Sequence, residues 1–265
     1  MTVLPPEQAD ALRELHRVCH DLTVDVVVIG AIALRVWIPD EHRLTEDIDV
    51  AVALDLDGFA PLAARLVALG WRPDVRWEPR WHSPRGARVD LLPFGMRARQ
   101  DKQIVWPRAE TVMRVVGFDR AFEDAVFHDF APDLRVRVPP AHVLALLKIV
   151  AYLHEPARGE KDLGDLLMIL DTYARDGGRR FGDDVLDAGV QYDEAGAFLL
   201  GQDLRALCTA PDEADAVRRF LQRVTDPEFQ MPVRLVRGRT GDEDDRKSPS
   251  GHKFRALACG FGEIA

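Results

Sequence analysis

Three aspartates in two short apolar segments are the residues of this chain best suited to chemistry. Asp47 and Asp49 stand two apart in T-E-D-I-D-V, and Asp90 stands in R-V-D-L-L-P-F. Alternate residues of a strand share a face. Asp47 and Asp49 therefore project together, while Ile48 and Val50 turn to the core. Neighbouring carboxylates repel unless a cation lies between them. An all-oxygen set suits Mg²⁺, which keeps waters and also takes substrate phosphates. Asp90 needs a partner as well, because an unpaired charge in an apolar strand is costly. A metal shared with Asp47 and Asp49 supplies one. Three carboxylates around two Mg²⁺ ions are what in-line phosphoryl or nucleotidyl transfer uses: one ion activates the attacking hydroxyl, and the other neutralises the triphosphate and the leaving pyrophosphate. The competing reading is that D-x-D is an accident of sequence. Asp55-Leu56-Asp57 is a second instance, and it reads as a turn and N-cap before the helix at 58–70.

Other residues could serve the same chemistry. Gly30-Ala31 ends a β-branched run and opens a helix. A glycine there lets the backbone approach a phosphate, and the helix start offers N–H groups; a plain strand-to-helix turn is the alternative. Arg43 and Thr45 precede the aspartate pair and could touch phosphate, fix the strand, or stand as exposed loop residues. Lys148 lies in A-L-L-K-I-V-A-Y-L, a helix apolar nearly all round, so its ammonium must snorkel or face a polar cleft near triphosphate oxygens. Asp162 and Asp165 share one face of the next helix. They read either as part of that cleft or as a cap and partners for Lys148, Arg158 or Lys161. Residues 72–108 carry nine Lys/Arg against four Asp/Glu, with Trp71, Trp77, Trp81 and Trp106 interleaved. Arginine with aromatic residues is a footing for RNA phosphates and unpaired bases, unless the tryptophans are core and the arginines a solvated strand face. None of the eight histidines shows metal-ligand spacing.

The elements that must position these residues follow from periodicity. Leu12, Leu15, Val18, Cys19 and Leu22 recur at helical spacing behind Pro5-Pro6. Residues 24–30 read as a buried strand, 31–37 as a short helix stopped near Pro39, and 45–54 as a second strand of the same sheet. Residues 58–70 read as a helix. Residues 71–82 and 87–94 read as two strands around a turn with Ser83, Pro84 and Gly86, and 134–139 as another. Residues 101–130 carry no clear pattern. From Pro140 the pattern turns helical. The expected class is α+β: a short mixed sheet flanked by helices over 1–138, a helical domain over 139–236, and a polar tail over 237–265 expected to be disordered.

The order Gly30-Ala31, short helix, R-x-T-x-D-x-D (Arg43, Thr45, Asp47, Asp49), then V-D-L-L at 89–92, resembles the nucleotidyltransferase superfamily that includes DNA polymerase beta. The segment 146–170, with a lysine in an apolar helix and then K-D-x-x-D-L, is similar to the AbiEii/AbiGii toxin-type nucleotidyltransferases. The resemblance covers roughly residues 23–175. It implies that Asp47, Asp49 and Asp90 bind metal and carry catalysis with Lys148. It further implies that Gly30, Ala31, Arg43, Thr45, Lys148, Asp162 and Asp165 bind the nucleotide, with Mg²⁺ as cofactor. The implied reaction moves a nucleoside monophosphate from an NTP to a hydroxyl of RNA, such as a tRNA acceptor end, or of a protein. A cognate antitoxin would be a partner. The chain departs from the superfamily in having Gly-Ala where Gly-Gly or Gly-Ser is usual, and in the I-P-D-E-H-R-L stretch before the aspartates. Two other readings stand beside it: a transferase for a small cationic acceptor of aminoglycoside type, and a relative that binds nucleotide or a partner without transfer. The three carboxylates argue against the last.

Composition limits the rest. The chain has 265 residues, 47% hydrophobic and 30% charged, with a net charge of −9. That length allows one large domain or two small ones, and the composition excludes global disorder. The acidic balance argues against a protein that coats nucleic acid indiscriminately. No segment approaches a membrane span, the N-terminus does not read as a secretory signal, and three scattered cysteines suggest neither a disulfide framework nor a zinc site. A cytoplasmic protein is expected.

Overall fold

The computed structural model describes residues 4–38, 45–156, 159–232, 235 and 249–264. The chain divides into two compact units, Met1–Pro140 and Ala141–Ala265. The first carries α1 (Pro6–Asp21), β1 (Val26–Ile29), α2 (Gly30–Trp37), β2 (Asp47–Val52), α3 (Ala60–Ala68), β3 (Arg72–Pro73), β4 (Arg80–His82), β5 (Arg88–Pro93), α4 (Met96–Asp101), β6 (Gln103–Val105), β7 (Val112–Arg114), α5 (Phe118–Glu123), β8 (Val126–Ala131) and β9 (Leu134–Val138). The second carries α6 (Ala141–His154), α7 (Glu160–Thr172), α8 (Asp183–Asp187), α9 (Tyr192–Leu207), α10 (Pro211–Val224) and α11 (Pro249–Phe261). No described helix is long and apolar enough to cross a membrane, and none of the three cysteines forms a disulfide.

The main sheet has the order β1-β2-β5-β4-β3. β1 runs antiparallel to β2, β2 parallel to β5, and β4 antiparallel to β5 and β3. A parallel pair needs a long crossover, and α3 with the β3–β4 hairpin lies between β2 and β5 in sequence. One face of the central strands is sealed by Ile48, Val50, Val89 and Leu91, with Trp81 beside them. The other face is buried at Ala51 and Leu92 and opens at Asp47 and Asp49. The sheet thus has one polar end on one face.

The stretch 71–82 is not a single strand. It folds into β3, a loop and β4, because Pro73 and Pro79 remove donors from any continuous ladder and Asp74 closes a turn. Its carboxylate accepts the backbone N–H of Arg76 at 2.7 Å and of Trp77 at 2.9 Å. Residues 101–130, which carry no clear pattern in sequence, hold the β6–β7 hairpin, α5 and β8. Asp55 does not cap the helix at 58–70. Its carboxylate accepts the backbone N–H of Arg97 at 2.9 Å, at the start of α4.

In the second unit α6 is buried on most sides. Arg180 is itself buried, and its guanidinium donates to the carbonyls of Asp171 and Tyr173 at the end of α7. The expectation of a disordered tail over 237–265 fails for its last part, since Pro249–Phe261 is helical. Phe254, Leu257, Ala258 and Phe261 repeat at helical spacing and are buried. The backbones of α9 and α11 meet so closely that a Cβ on Gly260 would lie 2.0 Å from the Phe198 carbonyl oxygen, and one on Gly201 would lie 2.3 Å from that of Leu257. The polar residues that precede this helix hide its apolar stripe from a composition-based reading.

Candidate active site

Asp49 on β2 is the register partner of Asp90 on β5, and Asp47 pairs with Arg88. Partners in adjacent strands share a face, so Asp47, Asp49, Asp90 and Arg88 all project from the polar end of the sheet. On the far side of β5, Arg80 of β4 is the partner of Asp90 and projects there too. Gly30 begins α2 directly after β1, whose Ile29 pairs with Asp49. Its φ is +69°, and a Cβ built on it would lie 2.0 Å from Asp49 Oδ2. Glycine is required there on both counts: the backbone is left-handed, and the Asp49 carboxylate fills the place of a side chain. Ala31 follows, buried in the first turn of α2.

The cluster is electrostatically dense. Arg80 grips Asp90 with two bonds, Nε to Oδ1 at 2.8 Å and a terminal nitrogen to Oδ2 at 3.0 Å. The same terminal nitrogen reaches Asp47 Oδ2 at 2.8 Å. Trp77 Nε1 donates to Asp90 Oδ2 at 3.3 Å. Arg88 Nε lies 2.8 Å from Asp47 Oδ1. That oxygen is buried without an aligned hydrogen bond, so the contact with Arg88 is an ion pair and not a directed bond. The hydrogen bond to Asp90 holds the Arg80 pKa above the usual arginine range, burial opposes it, and the charges of Asp90 and Asp47 add to the rise.

The residues fit a cation. Arg80 stands in for one, with its positive charge spread between two carboxylates that would otherwise repel. The oxygen donors are of the kind Mg²⁺ takes. As the side chains stand, Arg80 bridges Asp47 and Asp90 and Arg88 lies against Asp47, and no three His, Cys, Asp or Glu groups among the described residues converge on one metal position.

The remaining residues singled out in the sequence fall as follows. The Thr45 hydroxyl donates to the Asp47 carbonyl at 3.2 Å, and buried Gln8 of α1 donates to the Thr45 and Glu46 carbonyls. Thr45 therefore fixes the start of β2. Arg43 and Arg158 lie outside the described residues. In the second unit, Lys148 Nζ lies 2.8 Å from Asp162 Oδ1 and 2.8 Å from Asp165 Oδ2. Burial alone would lower the Lys148 pKa, but the charges of Asp165 and Asp162 outweigh it and raise it. Trp71, Trp81 and Trp106 are core residues, whereas Trp77 is 50% exposed. Many basic residues of 72–108 are paired: Arg99 and Lys102 with Asp119, Arg85 with Asp10, Arg97 with Asp57 and Arg108 with Glu78. The expected RNA footing thus reduces to Trp77 with exposed Arg72 and Arg76 near it in sequence. His82 pairs with Asp74 at 2.8 Å. That bond, with the backbone bonds from Arg76 and Trp77, holds the Asp74 pKa well below the usual carboxylate range.

Sequence reasoning missed Arg80 and the contact of Trp77 with Asp90. The signal was present for Arg80. Counting outward from the turn at Ser83–Gly86 puts Arg80 opposite Asp90.

The sheet unit thus carries a carboxylate cluster set against a glycine that opens a helix. The family model "Nucleotidyl transferase AbiEii toxin, Type IV TA system" matches residues 12–245, and the chain belongs to that family of enzymes. A search of curated proteins finds no match. Among solved structures, an antigenic nucleotidyltransferase-like protein from Paracoccidioides brasiliensis is 17% identical, with 82% of this chain and 94% of that one covered and a TM-score of 0.44. The lincosamide antibiotic adenylyltransferase LnuA is 15% identical, covering 63% of this chain and 97% of its own, at a TM-score of 0.39. A CCA-adding enzyme complexed with ATP is 14% identical, covering 97% of this chain and 63% of its own, at 0.35. The assignment rests on the family match.

Proposed function

We propose that this enzyme transfers a nucleoside monophosphate from an NTP to a hydroxyl at the end of an RNA, with Mg²⁺ held by Asp47, Asp49 and Asp90. The observation that carries the reading is the register of β2 and β5, which sets Asp49 beside Asp90 with Asp47 on the same face. Asp47, Asp49 and Asp90 would hold the ion, and the chemistry it would supply is a lowered pKa for the attacking hydroxyl and neutralised charge on the triphosphate. Gly30 leaves room at the start of α2 for the Asp49 carboxylate. Asp49, pressed against Gly30, has its direction fixed by packing, and Thr45 and Gln8 anchor the strand that carries Asp47.

The preference for an RNA acceptor rests on Trp77. Its ring is half exposed, its indole N–H is bonded to Asp90, and Arg76 precedes it. A ring held at a reacting carboxylate can stack an unpaired base, which contributes about 1–3 kcal/mol per base. The test incubates the protein with Mg²⁺, each α-labelled NTP, and separate pools of RNA, protein and aminoglycosides. Label entering RNA, absent with Asp49→Ala, is the expected result. Label entering only protein or aminoglycoside would replace the acceptor, and no transfer to any pool would overturn the reading.

A further inference from the structure

Arg80 answers a question the carboxylates raise. Three negative groups on one sheet face would repel one another in any state that lacks a bound metal, yet the sheet is fully formed there. The guanidinium resolves this: it bonds both oxygens of Asp90 and one of Asp47 at 2.8–3.0 Å, while Arg88 takes the other Asp47 oxygen. Every oxygen of Asp47 and Asp90 thus faces a nitrogen donor. Mg²⁺ needs lone pairs at about 2.0–2.1 Å in octahedral array, and a guanidinium pointing its N–H groups into the same space repels the ion.

We propose that Arg80 is a resident counter-cation that a divalent ion must displace, so that Arg80 sets the metal affinity of this site. The proposal rests on reading Asp47, Asp49 and Asp90 as metal ligands. Three features make the exchange feasible. The Arg80 side chain is 21% exposed, so its head has a route to solvent. Its backbone is held, N–H to the Trp77 carbonyl at 3.0 Å and carbonyl to the Asp74 N–H at 2.8 Å, so the exchange needs only a rotation of the side chain. Asp49, the register partner of Asp90, stands on the same face and adds a third carboxylate for an incoming ion. A displaced guanidinium remains beside the site and prefers bidentate phosphate oxygens. A nucleotide arriving with its metal therefore supplies both replacements, the ion for the carboxylates and the phosphates for Arg80. The metal alone binds weakly, and metal with nucleotide binds cooperatively.

The test counts bound Mn²⁺ by electron paramagnetic resonance for the wild type, Arg80→Met and Asp49→Asn, with no turnover involved. Arg80→Met is expected to bind Mn²⁺ about tenfold tighter or more than wild type. Wild type is expected to tighten on Mn²⁺ when a non-hydrolysable NTP is added, and Arg80→Met to lose most of that coupling. Equal or weaker Mn²⁺ binding by a folded Arg80→Met, with wild-type binding still dependent on Asp49, overturns the role of Arg80 and leaves the metal site standing. Mn²⁺ binding unaffected by Asp49→Asn, or absent throughout, overturns the metal site and Arg80 with it. Should Arg80→Met not fold, the wild type decides by NMR. The Arg80 Nε–H resonance is expected to be protected from exchange without metal and to lose that protection at saturating Mg²⁺; protection unchanged by Mg²⁺ overturns the proposal.

Discussion

Each unit of the chain holds one basic side chain between two aspartates at 2.8 Å, and the two clusters differ in everything else. In the helical unit Lys148 is nearly enclosed and Asp165 is 1% exposed, with Asp162 completing the set. In the sheet unit a third carboxylate, Asp49, stands beside the bridged pair, and the face is partly open to water. A buried charge that loses its partner has nowhere to go, so the Lys148 cluster behaves as a fixed joint between α6 and α7. A half-open cluster whose guanidinium can reach solvent can exchange its cation. The same contact distance therefore serves permanence in one unit and exchange in the other, and the surroundings decide which.

The largest expected effect is on the sheet cluster's chemistry. Asp49→Asn should lower nucleotidyl transfer by roughly a thousandfold, the loss of about 4 kcal/mol of transition-state stabilisation by one ligand, with little change in Tm. A labelled-NTP assay beside a thermal melt checks both halves. The helical cluster should respond in the opposite way. Asp165→Leu leaves the buried Lys148 with one partner and should cost about 3–5 kcal/mol of stability, read as the shift in urea midpoint. If the midpoint barely moves, the joint is not one.

Gly30→Ala joins the two kinds of effect. The left-handed backbone costs about 1–2 kcal/mol with a Cβ, and the methyl displaces the Asp49 carboxylate. Transfer should fall about a hundredfold, as expected for a misplacement near 1 Å. Lys148→Met combined with Asp165→Leu removes the buried charges together and should recover most of the stability that Asp165→Leu alone loses. The smallest effect lies in pH. The Lys148 pKa is higher in the folded chain than in the unfolded one, so the pair stabilises fully below about pH 10.4, the unfolded value, and the gain is lost as pH rises beyond it toward the folded value. The Tm difference between wild type and that double variant should hold constant from about pH 7 to 9 and change only above about pH 10.4.

Much of this was legible in the sequence, for physical reasons that can be named. β2 and α1 carry clean periodicities, and the helices from 141 onward are long enough for an apolar stripe to declare itself. That Asp47 and Asp49 share a face, and that Asp90 needs a charged partner, were legible from strand alternation and from the cost of a bare carboxylate in an apolar strand. What stayed hidden depends on pairing across distance. The split of 71–82 into two strands follows from a carboxylate turning back onto the N–H groups of Arg76 and Trp77. The cap that Asp55 gives to α4 joins residues far apart in the chain. The fate of the tryptophans was decided by packing: Trp71, Trp81 and Trp106 sit among apolar partners, and composition alone assigns them to a basic patch just as readily. The helix at 249–261 was lost to the polar stretch in front of it, although Phe254, Leu257 and Phe261 keep helical spacing.

The parallel pairing of β2 with β5 also governs when the site exists during synthesis. A ribosome delivers Asp47 and Asp49 first. Asp90 joins them only after α3 and the β3–β4 hairpin have emerged and β5 has docked along an already formed edge. Such non-local closure is slow compared with helix or hairpin formation. Arg80 emerges before Asp90 and belongs to the hairpin that delivers it, so the counter-charge reaches the sheet together with the carboxylate it neutralises. The nascent chain therefore never presents three bare aspartates on one face.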